Sequence, residues 1–190
     1  MARILGIVGS PRRHGNTDIL VSRIMEGAAE AGAHVNTLFL ADINIRECDG
    51  CHLCWKGDHC PKADDMAGIF PQIISADVLV FGTPVYWYAP TGLMKLFIDR
   101  FVFFNSPGHR TWVAGKSAAI VIPYEETNPE TARPVVEFFQ KCFDYLQIRL
   151  AARLIVPGVT ERGEVGRKTD VLQEAFNIGR SLAGRAARHE

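Results

Sequence analysis

Short apolar runs recur along the chain with amphipathic stretches between them, and this alternation restricts the fold more than any other feature. The runs are Arg3–Val8 (RILGIV), His34–Leu40 (HVNTLFL), Asp77–Gly82 (DVLVFG), Lys116–Ile122 (KSAAIVI) and Ile148–Val156. Runs that are apolar throughout, rather than at every second residue, predict strands covered on both faces, which is the signature of a parallel sheet. Helical spacing fills the gaps: Asn16 or Thr17 can cap a helix to about Gly32, and further helices are predicted from Asp65 to about Ser75, Pro90 to about Phe103, Pro129 to Leu146 and Gly166 to Arg188. Parallel neighbours need right-handed crossovers through such helices.

Five strands in this rhythm predict a flavodoxin-like three-layer α/β/α fold with strand order 2-1-3-4-5. The 190 residues are expected to form one domain, 1–190, with a Cys-rich insertion at about 45–65 after the second strand. Ligands of such sheets sit beyond the carboxyl ends of the strands, where the strand order reverses. That directs attention to the loops after Val8, Gly82 and Ile122.

Composition narrows the function classes. Hydrophobic residues make up 47% and charged residues 22%, so the chain is too apolar for a disordered one. Lys plus Arg and Asp plus Glu are 21 each, so no overall positive field favours nucleic acid or an anionic membrane. No run of 18 apolar residues predicts a membrane span, and the apolar N-terminus lacks a cleavage site, so the expected location is the cytoplasm. Thiols stay reduced there, and clustered cysteines then point to metal or redox chemistry before disulfides.

The loop after the first strand reads Gly9-Ser10-Pro11-Arg12-Arg13-His14-Gly15-Asn16-Thr17 and opens a helix at once. Backbone N–H groups and the positive helix end form an anion site there, with Ser10, Asn16 and Thr17 as donors and Arg12 or Arg13 as a clamp. The loop is neither G-x-G-x-x-G nor G-K-[ST], so a terminal monophosphate suits it better than a dinucleotide or ATP. After the third strand, Thr83-Pro84-Val85-Tyr86-Trp87-Tyr88 sets three aromatics in a row, suited to a flat heteroaromatic ring. An aromatic subunit interface is compatible with the same residues. His14 reads as polar lining, and Cys142 as a small core residue.

Cys48-x2-Cys51-x2-Cys54-x5-Cys60-Pro61 places four thiols within 13 residues. The start and the closing Cys-Pro are similar to a bacterial ferredoxin run, but no second run exists to share a cluster with. Zinc is an alternative, although structural zinc sites usually split into two separated knuckles. Four reduced thiols with no metal are a third reading.

Gly9-Ser-Pro-Arg-x-x-Gly-Asn-Thr17, Thr83-Pro-Val-Tyr86 and Gly92-x-x-Lys95-x-Phe-Ile-Asp99-Arg100 together resemble the NADPH-dependent FMN reductase branch of the flavodoxin-like superfamily. The Cys block followed by Asp64-Asp65-Met66 resembles its iron–sulfur flavoprotein members. The resemblance implies FMN, with Ser10, Arg12, Asn16 and Thr17 on the phosphate and Pro84, Val85, Tyr86 and Trp87 along the ring. The loop from Pro123 to Asn128, including Glu125, would close the far side. It also implies a [4Fe–4S] cluster on Cys48, Cys51, Cys54 and Cys60, NAD(P)H or a ferredoxin-type carrier as donor, a small-molecule acceptor, and a homodimer or homotetramer. A cluster-free NAD(P)H-dependent flavin or quinone reductase is the competing version. A pure electron carrier of the flavodoxin kind fits poorly, because those are strongly acidic and this chain is neutral.

Overall fold

A computed structural model describes residues 1–57 and 59–186. Its five strands are β1 (Arg3–Val8), β2 (His34–Phe39), β3 (Val78–Gly82), β4 (Ser117–Pro123) and β5 (Arg149–Val156), all parallel and ordered β2-β1-β3-β4-β5. The predicted order therefore holds. The helices are α1 (Asn16–Glu30), α2 (Met66–Ser75), α3 (Gly92–Asp99), α4 (Arg133–Leu146) and α5 (Thr169–Ala186). No helix among the described residues is long and apolar enough to cross a membrane.

Strand side chains alternate between two cores. Leu5, Ile7, Leu79, Phe81, Ile120 and Ile122 face α2, α3 and α4, while Ile4, Val8, Val78, Val80 and Val121 face α1 and α5. Both faces of the central strands are thus buried, which is why those runs read as unbroken apolar stretches. The edge strands differ: β2 exposes its first four residues, and β5 buries only Leu154 and Val156.

Helix boundaries are shorter than the spacing predicts. The helix expected from Pro90 to Phe103 ends at Asp99 and tightens into a 3-10 turn over Arg100–Asn105. The helix expected from Pro129 starts as a 3-10 turn, Pro129–Thr131, before Arg133. The last helix begins at Thr169, and Arg188, its predicted end, lies outside the described residues. Neither Asn16 nor Thr17 caps α1; Gly15 occupies the cap position, and Asn16 is the first helical residue.

The seating of α1 depends on close backbone approach. A Cβ on Gly179 of α5 would lie 1.9 Å from the Ile24 carbonyl oxygen, and one on Gly27 of α1 would lie 2.0 Å from that of Phe176. A Cβ on Gly82 at the end of β3 would meet Val21 Cγ2 at 2.4 Å. These contacts press α1 onto α5 on one side and onto the sheet on the other, so the amino end of α1 stands at the carboxyl ends of β1 and β3.

Helix propensity alone would make Gly179→Ala stabilising by about 1 kcal/mol. The backbone collision reverses that sign, and we expect a loss of at least about 2 kcal/mol by urea denaturation. Gly68→Ala in α2, where a Cβ meets nothing within 4 Å, serves as the control and should be neutral or slightly stabilising.

Candidate functional site

One cleft gathers residues from four strand-end loops. Ser10, Arg12, Gly15, Asn16 and Thr17 come from the β1–α1 loop, and Pro84, Val85 and Tyr86 from the β3–α3 loop. Pro123, Tyr124 and Glu125 follow β4, and Val159, Thr160 and Arg162 follow β5. The cleft lies at the switch point between β1 and β3, where strand order reverses.

The first two loops are tied to each other. The Thr91 hydroxyl, buried, donates to the Gly9 carbonyl and accepts the Met94 N–H at 3.1 Å, which also caps α3. The Thr91 N–H donates to Thr83 Oγ1 at 3.1 Å, and the Gly9 N–H to the Gly82 carbonyl at 2.8 Å. A Cβ on Gly9 would meet Met94 Cβ at 2.8 Å, so this approach needs glycine. Between these anchors, Ser10 Oγ is buried and accepts the Arg12 N–H at 3.2 Å, and the Gly15 N–H turns back onto the Arg12 carbonyl at 3.1 Å. The turn delivers the chain into α1 with its first N–H groups facing the cleft.

The two arginines of this loop have separate fates. Arg13 pairs with Asp42 and lies 4.3 Å over the Phe39 ring. Arg12 is exposed, lines the cleft, and its guanidinium has no partner among the described residues. Asn16 spends both ends of its amide on the β5 loop: Nδ2 donates to the Glu161 carbonyl at 2.9 Å, and Oδ1 accepts the Val165 N–H at 3.1 Å. His14 lies on an adjoining surface groove rather than in this cleft.

The donor set suits a phosphorylated flat ring. Hydroxyls, N–H groups and a free guanidinium collect at the α1 end, and Pro84, Val85, Tyr86 and Tyr124 supply flat or apolar walls beyond them. Trp87 is the expected ring residue that does not line the cleft. It stands 95% exposed at the tip of a two-residue turn closed by Tyr86 N–H to Ala89 O at 2.9 Å and Ala89 N–H to Tyr86 O at 3.1 Å. Trp87 and Tyr88 both have positive φ, 51° and 60°, a conformation that costs a non-glycine residue about 1–2 kcal/mol each. Glu125 lines the cleft, and its side chain is exposed.

The Cys-rich segment is closed at its base. The Asn44 N–H donates to Asp65 Oδ2 at 2.8 Å, and the Asp65 N–H returns to the Asn44 carbonyl at 3.0 Å. Trp55 Nε1 donates to the Val102 carbonyl at 2.9 Å, pinning the loop to the turn after α3. All five cysteines are free thiols, with Cys54 buried, Cys48 and Cys60 half-buried and Cys51 exposed. Burial pushes the Cys54 thiol up, and the nearness of Cys60, Cys48 and Cys51 adds to it. No three His, Cys, Asp or Glu side chains among the described residues stand together as a ready-made group for a metal ion. Cys142 is half-buried against the core, and burial pushes its thiol up too.

At the floor of this loop lies a buried ion pair that sequence reading did not assign. Arg100 and Asp64 bond to one another with 2% and 0% of their side chains exposed. Arg100 also donates to the Arg46 carbonyl at 2.9 Å and to Cys60 Sγ at 3.3 Å. Burial works to raise the Asp64 carboxyl, but the Arg100 guanidinium and the N–H groups of Arg46 and Met66 outweigh it and hold the carboxyl below its ordinary value.

Residues 2–147 match the family described as NADPH-dependent FMN reductase. The chain belongs to this family. An iron–sulfur flavoprotein of Methanocaldococcus jannaschii is 36% identical over 98 residues, which is 52% of this chain and 51% of that one. An iron–sulfur flavoprotein of Archaeoglobus fulgidus is 27% identical over 183 residues, covering 95% of this chain and 79% of that one. The chain thus spans about half the length of some of the curated relatives it matches. Among solved structures, an NAD(P)H:quinone oxidoreductase from Methanothermobacter marburgensis superposes with a TM-score of 0.73 at 19% identity, over 95% of this chain and 94% of that one.

The family match stops short of β5, and so did the sequence reading of the site. Val159, Thr160 and Arg162 were missed because only the loops after β1, β3 and β4 were searched. The rule that ligands sit beyond strand carboxyl ends applies equally to β5 and could have found them.

The Asp64–Arg100 pair gives the Cys-rich segment a pH signature. A folded-state value below the unfolded one, about 3.9, means the contribution is present above that value and is lost as pH falls through the folded one. The stability gap between the wild type and Asp64→Asn should be flat from pH 6 to pH 8 and close below about pH 4, read by urea denaturation. Arg100→Met, which leaves Asp64 buried and unpaired, should cost about 3–5 kcal/mol at neutral pH.

Proposed function

We propose that this protein is an FMN-dependent oxidoreductase that takes electrons from NAD(P)H or a ferredoxin-type carrier and delivers them to a small acceptor. One observation carries the reading: a donor-rich loop and an apolar, aromatic loop sit on adjacent parallel strands, are hydrogen-bonded to each other through Thr91, and bound one cleft. Ser10, Arg12 and Thr17 would hold the phosphate, with Asn16 fixing the opposite wall. Pro84, Val85 and Tyr86 would line the ring, and Tyr124 and Glu125 would close its far side. FMN, when bound, supplies hydride acceptance and single-electron release. The protein's part is to bind the phosphate, pack the ring and leave one face open, and no acid–base residue is required for that.

Cys48, Cys51, Cys54 and Cys60 are proposed to hold a [4Fe–4S] cluster. Their spacing and the names of the relatives support this. Arg100, donating to Cys60 Sγ, would offset part of the negative charge of such a site. The second reading, a cluster-free reductase of flavin or quinone, is favoured by one relative: a Bacillus subtilis protein, 24% identical over 176 residues, is named as an NAD(P)H-dependent FMN-containing oxidoreductase. The exposed Trp87 and Tyr88 support a homodimer or homotetramer, and the cytoplasm is the proposed location.

Protein purified anaerobically should carry about one flavin per chain and about four irons with four sulfides. Replacing Cys54 by Ala should abolish the iron while leaving the flavin. A stoichiometric flavin spectrum with no iron under these conditions selects the cluster-free reductase, and absence of flavin removes both versions. NADPH should bleach the flavin absorbance if it is the donor.

A further inference from the structure

The loop that follows β5 lies beyond the residues matched by the family, yet it forms one wall of the same cleft. Its hold on the β1–α1 loop is extensive. Asn16 bonds it at two points, through the Glu161 carbonyl and the Val165 N–H. Arg162 reaches across and donates from Nε, at 2.9 Å, and from Nη2 to the carbonyl oxygen of Arg13. The Glu164 carboxylate braces the loop from within by accepting the N–H groups of Thr160 at 2.8 Å and Glu161 at 3.0 Å.

This grip fixes a guanidinium without exhausting it. A guanidinium carries five N–H groups, and two of the five are spent on Arg13 O. Nη1 and the second hydrogen of Nη2 remain available, and Arg162 is exposed to the cleft it lines. Arg12 lines the same cleft, exposed and unpartnered among the described residues. Of the carboxylates around the cleft, Asp18 accepts the His14 N–H at 2.6 Å, Asp42 takes Arg13 and Glu164 takes the loop amides, while Glu125 lines the cleft, exposed, and pairs with neither Arg12 nor Arg162 among the described residues.

We infer that Arg162 is a second phosphate-positioning residue, acting with Arg12 as a two-sided clamp on a dianionic phosphomonoester. Planar forks match phosphate oxygens in pairs, and one fork held by a backbone carbonyl loses little freedom on binding. The inference rests on the FMN reading and deepens it: Arg162 would make the cleft choose FMN over riboflavin, which has the same ring and no phosphate.

The test is a fluorescence titration of flavin-free full-length protein with FMN and with riboflavin, for the wild type, Arg162→Met and Arg162→Lys. Met keeps the stem and removes the charge. We expect Arg162→Met to weaken FMN about 10–100-fold with riboflavin changed by less than about twofold, and Lys to restore part of the loss. Unchanged FMN affinity in Arg162→Met overturns the inference alone. So does an equal loss for FMN and riboflavin, which marks Arg162 as a brace for the loop rather than a contact for phosphate. Wild-type protein that binds neither flavin overturns the FMN reading and this inference together.

Discussion

Everything at the candidate site depends on how closely one helix can approach its neighbours. Backbone comes against backbone at the α1–α5 crossing, Gly27 against Phe176 and Gly179 against Ile24 and Ala28, and Gly82 lets Val21 and Thr17 lie directly on the end of β3. A methyl group at any of these points would have to displace main chain or a packed side chain. The position of α1 sets where its amino end points, and with it the orientation of a loop that offers backbone N–H groups, a buried hydroxyl and a free guanidinium together. The binding chemistry is thus positioned by residues that have no side chain.

The sheet was legible in the sequence because its central strands are buried on both faces and carry no polar alternation to confuse the pattern. Residues such as Leu5, Val80 and Ile120 can only belong to a covered sheet. Boundaries were less legible. Arg100–Asn105 continues the apolar spacing of α3 but tightens into 3-10 geometry, where Arg100 turns inward to meet Asp64. Local periodicity carries no information about a partner 36 residues away.

The same limit explains the site. Ser10, Arg12 and Thr17 were readable as neighbours in one cleft because a single short loop opening a helix brings them together. Asn16 was read as a phosphate donor or a cap, whereas its amide reaches a loop 149 residues further on. Trp87 was assigned to the ring wall by its neighbours in sequence, yet it stands exposed at the tip of a turn with two left-handed residues and is not among the residues lining the cleft. Turn geometry of that kind is unusual for aromatic residues, so residue type gave no warning.

The closed base of the Cys-rich segment bears on affinity as well as on shape. Asn44 and Asp65 join its ends, Trp55 holds its crest to the turn after α3, and Arg100 ties Arg46, Asp64 and Cys60 into one buried knot. Protein contacts thus tie the segment down at several points, and less chain entropy would be left to lose if the thiols took up the proposed cluster. Were the proposed cluster lost from such a loop, the rest of the domain would not have to refold around it.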